Sequence, residues 1–220
     1  MKTQIFRIVF EDESLLIIEK QQPFLSQRAD RGQGEGLDEF VSRQLGIKIF
    51  PVHRLDREVL GLMIYARSSK IAEALSLIFK NREIKKVYEA VVRGKVSKDQ
   101  DTLVHYLKKN QKTNYVTVFT KPTPEAKRAE LTYQVIDRDS SSTRLLISLK
   151  TGRSHQIRVQ LAKIGHPILG DFRYGKKNSD DESTEDSIHL RSVFLSFTHP
   201  STGENVSASL IDEGMIEKIL

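Results

Sequence analysis

An aspartate set between basic residues is the first feature of this sequence that could carry chemistry. The segment His53–Ser68 (HRLDREVLGLMIYARS) places Asp56 between Arg54 and Arg57, ahead of a glycine and an apolar run. Nearby guanidinium charge keeps a carboxylate ionised and lowers its pKa, as nucleophilic or electrostatic catalysis requires. Taken alone, the pattern favours a salt-bridged turn residue or a helix cap, and an ionised carboxylate in a basic pocket is the alternative.

A tyrosine on an expected strand is the second candidate. Strand alternation in Lys85–Gly94 (KKVYEAVVRG) puts Tyr88 on the face of Ala90 and Val92 and opposite Val87. A core tyrosine with a satisfied hydroxyl is the commoner outcome for such a residue. The functional alternative is a ring that stacks on a nucleic-acid base, with a phenol that can join proton transfer.

The third candidate is an arginine in the segment Lys150–Gly175 (KTGRSHQIRVQLAKIGHPILGDFRYG). A helix capped by Ser154 would place His155 and Arg158 on one side, flanking an apolar stripe that includes Ile157. Arg158 would then point from the first turns of the helix into a cleft while the stripe is buried. A surface arginine beside the core is the competing interpretation.

These segments need a scaffold, and the pattern predicts an α+β fold with a mixed, mostly antiparallel β-sheet and flanking helices and loops. No repeat or linker divides the chain, so we expect one domain over residues 1–220. Helical spacing of apolar residues predicts helices over Leu37–Leu45, from Ser68 or Ser69 through Phe79, from Ser154 through Ile164, and at the C-terminus. Short apolar runs bounded by turn residues predict strands at Ile5–Phe10, Leu15–Glu19, Leu62–Ala66, Val87–Val92, Tyr115–Phe119, Leu131–Ile136, Arg144–Leu149, Leu190–Phe197 and Val206–Leu210.

Positive charge is concentrated in one quarter of the chain. Lys and Arg exceed Asp and Glu by six overall, and residues 80–130 hold thirteen basic against six acidic residues. A stretch of this kind is either a solvated face or a contact surface for a polyanion, and composition leaves both open. In contrast, residues 180–186 (DDESTED) hold five acids in seven positions, which predicts an acidic surface loop at about 176–187.

The composition excludes several classes of site. The sequence has no cysteine, which rules out disulfides, a thiolate nucleophile and Cys-ligated metal centres. The six histidines show no HExxH spacing and no accompanying carboxylate cluster, so isolated structural histidines are favoured over a metal-dependent hydrolase. No apolar run is long enough for a membrane span and the N-terminus does not resemble a signal peptide, so we expect a soluble cytoplasmic protein without membrane contact.

Taken together, the three segments resemble the RluA-like family of RNA pseudouridine synthases. In that family an HRLD segment supplies the catalytic aspartate, a K-x-Y-x-A strand an active-site tyrosine, and a GR-x-HQIR segment an arginine that pairs with the aspartate. The matching residues here are Asp56, Tyr88 and Arg158, separated by 32 and then 70 residues. The third segment matches nearly unbroken through GHPI-x-GD-x-x-YG, and the resemblance covers almost the whole chain.

The resemblance implies that a uridine within tRNA or rRNA is isomerised to pseudouridine. The reaction consumes no water and changes no oxidation state, so we expect no cofactor and no metal. The target base must leave the stack, and we expect Arg54 to fill the gap and Tyr88 to hold the extruded uracil. Further substrate contacts are expected from His53, Arg153, His155 and Ile157. We expect RNA phosphates to meet Lys85, Lys86, Arg93, Lys108, Lys109 and Lys112.

Two departures from the family pattern are visible. The Thr-Ser-Gly that usually follows the catalytic segment is replaced by Val59-Leu60-Gly61, which keeps only the glycine. The frequent Lys-Pro-x-Gly after the second strand is replaced by the segment Lys20–Phe24 (KQQPF), a local loop change. A catalytically impaired RNA-binding protein on the same scaffold is therefore the alternative function. With 55 residues ahead of Asp56, we also expect no N-terminal S4 domain, and we expect a monomer.

Overall fold

The structure, a computed structural model, describes residues 4–28, 34–175 and 188–220. Within these ranges it contains four helices, α1 (Leu37–Leu45), α2 (Ser69–Asn81), α3 (Gln156–Lys163) and α4 (Glu213–Glu217). Its eleven strands are β1 (Phe6–Glu11), β2 (Leu15–Lys20), β3 (Phe50–Pro51), β4 (Leu60–Ala66), β5 (Lys85–Arg93), β6 (Gln100–Lys109), β7 (Val116–Phe119), β8 (Lys127–Arg138), β9 (Ser142–Leu149), β10 (Leu190–Thr198) and β11 (Asn205–Ser209). This strand-rich content confirms the predicted α+β class.

The chain forms two compact units. The first unit comprises Met1–Lys86 with Arg191–Ile211, and the second comprises Val87–Leu190 with Asp212–Leu220. The expectation of one domain over residues 1–220 stays a prediction. The predicted acidic loop at 176–187 lies outside the described residues.

The first unit is built on the strand order β1-β2-β4-β10, with β3 added to β4 and β11 added to β10. Strands β2 and β4 are antiparallel, whereas β4 and β10 are parallel, which gives this sheet its mixed character. The core of the unit includes Leu15, Ile17, Leu62 and Ile64 from β2 and β4, packed with Leu75 from α2. Because four successive residues of β2 are fully buried, this strand shows a continuous apolar run rather than alternation.

Local capping explains where the helices of the first unit begin and end. The hydroxyl of Ser68 accepts a hydrogen bond from the Ile71 amide, which confirms the predicted start of α2. Helix α1 ends at Gly46, whose φ of 67° lies in the left-handed region.

Gly61 is required where β4 passes β10. Its φ is 99°, and a Cβ at this position would overlap the backbone of Ser192, its partner in the parallel pairing. Only glycine combines this backbone conformation with so close an approach. The glycine retained from the family pattern therefore has a packing role at the end of the loop that carries Asp56.

The second unit carries the antiparallel order β5-β9-β8-β6-β7. Tyr88 on β5 pairs with Ile147 on β9. Strand β6 was absent from the sequence-based predictions, because its buried face alternates Leu103 and Leu107 with a histidine, His105, instead of a third apolar residue. The two-residue strand β3 also escaped prediction, since such a bridge has no periodicity of its own.

The prediction that Ser154 caps α3 is wrong. The helix begins at Gln156, and its N-cap is His155, which adopts a left-handed φ of 51° and makes no side-chain cap hydrogen bond. Residues 156–161 are all buried, Arg158 included. This burial rules out the competing interpretation of a surface arginine, and the position of Arg158 in a cleft stays a prediction. The helix enters the core with every face of its first turns covered, so it carries no simple apolar stripe.

Candidate active site

Asp56 lies in the loop between β3 and β4, where its side chain is half-buried. Residues 56–59 form a turn, in which the Val59 amide donates to the Asp56 carbonyl at 3.1 Å. The preceding residue, Leu55, is buried, and the Ser26 hydroxyl donates to its carbonyl at 2.6 Å and accepts from its amide at 3.1 Å. The loop that presents the carboxylate is therefore anchored on both sides of Asp56.

A buried lysine also holds this loop. The ammonium of Lys20, at the end of β2, donates to the carbonyls of Phe24 at 2.8 Å, Asp56 at 3.0 Å and Arg57 at 2.9 Å. The residue is fully buried, and this burial lowers the pKa of Lys20 to about 7, against the opposing charges of Glu58 and Asp56. Three donors meet three carbonyls, which fixes the backbone on which Asp56 stands.

Sequence reasoning missed Lys20 and described its surroundings as a local loop change. The available signal was a cation at the end of a strand that starts with four apolar residues, on the same face as Leu16 and Ile18. A lysine in that position must either reach solvent or find several buried acceptors. Lys20 finds three buried carbonyl acceptors.

The two residues of the Asp56 segment that are predicted to contact the substrate, His53 and Arg54, have different surroundings. His53 stacks on Phe79 with ring centroids 4.7 Å apart, and its Nε2 accepts a hydrogen bond from the Ile64 amide at 2.9 Å. Burial lowers the pKa of His53 to about 3, so the ring is neutral. Arg54 is exposed, a position compatible with a contact to RNA. The substrate contacts of both residues stay predictions.

The second unit holds the other two candidate catalytic residues. Tyr88 is 8% exposed, on β5. Arg158 is 4% exposed, and its guanidinium forms a bidentate ion pair with Asp171, at 2.7 Å from Nε to Oδ2 and 2.8 Å from Nη2 to Oδ1. The Arg158 guanidinium also lies 5.4 Å from the centre of the Tyr174 ring. These contacts hold the orientation of the guanidinium within a dry environment.

Asp171 and Tyr174 are site residues to which the sequence analysis assigned no role, although both belong to the GD-x-x-YG end of the third segment. Asp171 also accepts hydrogen bonds from the amides of Arg173 at 3.1 Å and Tyr174 at 3.4 Å, so the turn that follows it is ordered around its carboxylate. The Tyr174 hydroxyl accepts from the Val116 amide at 3.2 Å and lies 2.5 Å from Nδ1 of His155. Burial raises the pKa of Tyr174.

The start of α3 rests on a buried polar network. The Gln156 side chain donates to the Glu130 carbonyl at 3.0 Å and accepts from the Thr151 hydroxyl at 2.8 Å and from the Arg153 amide at 3.0 Å. The Arg153 guanidinium donates to the Arg128 carbonyl at 3.1 Å. Ile157 is buried in the same turn. The substrate contacts predicted for Arg153, His155 and Ile157 stay predictions.

The six residues predicted to meet RNA phosphates are not equivalent. Lys85, Lys109 and Lys112 are exposed, and Lys108 forms an ion pair with Glu125. Lys86 lies 5.5 Å from the centre of the Phe79 ring, and burial lowers its pKa. Its environment is thus the least suited of the six to binding a phosphate. Arg93 is half-buried, and its carbonyl lies 2.9 Å from His166 Nδ1.

The described ranges contain neither a metal-binding cluster nor a membrane-spanning helix. No group of three or more His, Asp or Glu residues there is arranged to hold a metal ion. None of the helices described is both long and apolar enough to cross a bilayer.

Comparisons with known proteins point to one family. The sequence profile described as RNA pseudouridylate synthase matches residues 14–163. The tRNA pseudouridine synthase C of Vibrio cholerae is 30% identical over 215 residues, which cover 90% of this chain and 87% of that protein. The ribosomal large subunit pseudouridine synthase D of Pasteurella multocida is 32% identical over 216 residues, which cover 90% of this chain but 64% of that protein.

Solved structures with the same fold are found as well. Human RNA pseudouridylate synthase domain containing 1 superposes with a TM-score of 0.78 and 22% identity, over 94% of this chain and 83% of that one. Human RNA pseudouridylate synthase domain containing 4 gives a TM-score of 0.75 at 22% identity, over 93% of this chain and 87% of that one. At this level of identity the likeness concerns the fold.

Proposed function

This chain belongs to the RNA pseudouridylate synthase family, as a synthase of the RluA type, and we propose that it isomerises a specific uridine in tRNA or rRNA with Asp56 as the catalytic residue. The observation that carries this proposal is the extent of the family match. It runs over residues 14–163 and so includes Asp56, Tyr88 and Arg158 together, each within the segment that the resemblance assigned to it.

The chemistry asks for one ionised carboxylate. The bond between C1′ and N1 of the uridine breaks, the uracil turns, and a bond forms between C1′ and C5, while the hydrogen on C5 is lost and N1 gains one. The product is an isomer of the substrate, so no water molecule has to be activated. Attack of a carboxylate on the sugar and removal of a sugar proton by it are both open to Asp56, and both need its charged form.

A fixed backbone supports this role. The amide of Val59 and the ammonium of Lys20 both donate to the Asp56 carbonyl, and Ser26 binds both backbone groups of Leu55. Catalytic groups work best when their position is set before substrate arrives, because no reorganisation is then needed during the reaction. We infer that Lys20 and Ser26 serve as positioning residues for this loop.

Arg158 and Tyr88 are proposed as the partners of the carboxylate. A nearby positive charge would balance the half-buried carboxylate of Asp56, and Arg158 is a buried guanidinium whose orientation is already set by Asp171. Tyr88 offers a planar ring for stacking on the extruded uracil. Exposed lysines such as Lys109 and Lys112 supply charge for the RNA backbone.

The test compares pseudouridine in total RNA from cells with and without this gene, followed by assays of the purified protein on RNA from the cells that lack it. The wild type restores the missing pseudouridine. Asp56→Asn forms none while it binds the same RNA with unchanged affinity. Glu73→Gln, which neutralises an exposed carboxylate on α2, keeps full activity. Pseudouridine formation by Asp56→Asn at the normal rate would falsify the assignment of Asp56.

The same experiment separates the enzyme from the alternative function, an RNA-binding protein without activity. That alternative predicts equal pseudouridine maps with and without the gene. The position and RNA class of the missing pseudouridine identify the substrate, tRNA or rRNA, in one measurement.

A further inference from the structure

An exposed aromatic ring marks the turn between β6 and β7. Tyr115 is 45% exposed, so nearly half of this large aromatic residue is open to solvent. Its ring lies against that of Tyr174, with centroids 5.1 Å apart and planes inclined at 41°. Phe172, in the turn that leads to Tyr174, is 36% exposed as well. The Tyr115 ring thus packs against Tyr174 on one side, and much of the rest of it is open to solvent.

The turn that carries Tyr115 is held by hydrogen bonds. The Asn110 amide donates to the Tyr115 carbonyl at 2.8 Å, and the Asn110 side chain accepts from the amides of Lys112 at 2.9 Å and Thr113 at 3.2 Å. The Arg173 guanidinium donates to the Thr113 carbonyl at 2.7 Å, which ties this turn to the one containing Phe172 and Tyr174. The ring of Tyr115 is therefore presented on an ordered support, which lowers the entropic cost of binding.

A basic cleft adjoins this turn. It begins at Val116, the residue after Tyr115, and at Lys109, its partner across the β6–β7 pairing. The remaining lining residues are Leu107, Gln111, Glu125, Lys127, Gly152, Arg153 and Ser154. Three cations line it against a single carboxylate, and that carboxylate, on Glu125, is already paired with Lys108. The cleft thus has the charge that attracts phosphate oxygens.

We propose that the β6–β7 turn and its cleft form a contact surface for a single-stranded segment of the RNA substrate. A base that is not paired stacks on Tyr115, and the neighbouring phosphates bind Lys109, Lys127 and Arg153. An aromatic ring beside a cationic groove is the combination that binds single strands, because every base has a face to stack and every nucleotide carries a charge. This inference rests on the proposed function, since it takes the substrate to be RNA.

The test measures binding of the RNA substrate and the kinetics of pseudouridine formation with the full chain. Tyr115→Ala weakens binding roughly 5- to 150-fold, as loss of one stacked base would, and raises KM by a similar factor with kcat unchanged. Tyr115→Phe, which keeps the ring, binds like the wild type. Val104→Ala, at a residue of β6 that is 39% exposed, is the matched control and leaves both binding and KM unchanged.

The cleft is tested by salt dependence. Lys109→Gln combined with Lys127→Gln reduces the slope of log K against log salt concentration by about 1.4, at about 0.7 for each phosphate contact with a single strand. The inference is overturned if Tyr115→Ala binds RNA as tightly as the wild type, or if the double variant keeps the wild-type salt slope. In either case, activity of the wild-type protein shows that the proposed function still holds. A wild-type protein that makes no pseudouridine overturns the proposed function and, with it, this inference. Thermal unfolding of each variant identifies any that are misfolded. If Tyr115→Ala is misfolded, Tyr115→Phe tests the role of the ring. Because this variant keeps the ring and lacks only the hydroxyl, a loss of RNA binding by it would contradict stacking.

Discussion

Arg158 and Asp171 form a buried, bidentate ion pair in which two hydrogen bonds, of 2.7 and 2.8 Å, join the guanidinium to the carboxylate. The exposed fraction of each residue is below 5%, so neither charge can be hydrated if the other is removed. The pair fixes where the Arg158 guanidinium points, and we infer that Asp171 is a positioning residue for the reaction proposed at Asp56.

Asp171→Asn removes the charge that balances Arg158 and leaves a buried cation. We expect the free energy of unfolding to fall by about 3 to 5 kcal/mol, as it does when one partner of a buried pair is lost. Urea denaturation measures this change. The double variant Arg158→Met/Asp171→Leu regains most of the stability because no charge remains buried, yet it stays inactive because the guanidinium is gone. Stability in Asp171→Asn equal to that of the wild type would contradict the pairing.

Lys20→Met deprives three backbone carbonyls, on Phe24, Asp56 and Arg57, of their donor. We expect a loss of about 3 kcal/mol in stability, because buried acceptors left without partners retain their desolvation cost. We also expect a lower kcat, since the loop carrying Asp56 loses its anchor. Lys70→Met, at an exposed position on α2, is the control and changes neither quantity. A normal kcat in Lys20→Met at a temperature where it is folded would refute the positioning role.

Lys20 also predicts a pH dependence of stability. The folded-state pKa of about 7 lies below the ordinary value of 10.5, so between these two values the unfolded chain binds more protons than the folded one. The contribution of Lys20 to the free energy of unfolding therefore rises with pH across this window, by at most about 1.4 kcal/mol per pH unit. The charges that face its ammonium are Glu58, Asp56 and Arg57.

Chemical denaturation at a series of pH values from about 6 to 10.5 measures this effect, because this range includes both the folded-state pKa of Lys20, about 7, and its ordinary pKa of 10.5. Subtraction of the Lys20→Met curve from the wild-type curve cancels the other titrating groups. We expect the difference to rise from pH 7 upward. A flat difference would show that Lys20 keeps an ordinary pKa in the folded protein.

Tyr174→Phe removes the hydroxyl that links the Val116 amide to His155 but keeps the ring beside Arg158. We expect a loss of about 1 to 2 kcal/mol in stability from the unsatisfied groups and a small change in kcat. Tyr174→Ala removes the ring as well, and its kcat falls further because Arg158 loses a packing face. Equal kcat values for the two variants would argue against a contribution of the ring to the orientation of Arg158.

Gly61→Ala tests the close approach between β4 and β10. The new methyl would overlap the Ser192 backbone in a conformation that alanine already disfavours, and we expect a loss of about 2 to 4 kcal/mol in stability. Gly203→Ala is the matched control, because Gly203 has a φ of 75° but open space around its Cα. It should lose only about 1 kcal/mol, from backbone strain alone. Similar losses in the two variants would show that the contact with Ser192 is not tight.

The sequence by itself determined the strands with clear apolar runs, the capped start of α2 and the family to which the chain belongs. These depend on signals contained within short segments, such as alternation, a capping serine or a 26-residue motif from Lys150 to Gly175. The same signals failed for β6, because His105 interrupts its apolar pattern, and for the start of α3, because His155 enters the helix through a left-handed backbone that no composition rule anticipates.

Only the tertiary structure decided which polar groups share the interior. Lys20 finds two of its three acceptors more than 35 residues away along the chain, and Arg158 finds Asp171 across a turn that follows its helix. A buried charge has no water to solvate it, so it pairs with the oppositely charged or polar groups that the folded backbone places next to it. That choice depends on the folded arrangement of distant segments, so the local pattern of residues names the charged groups but not their partners.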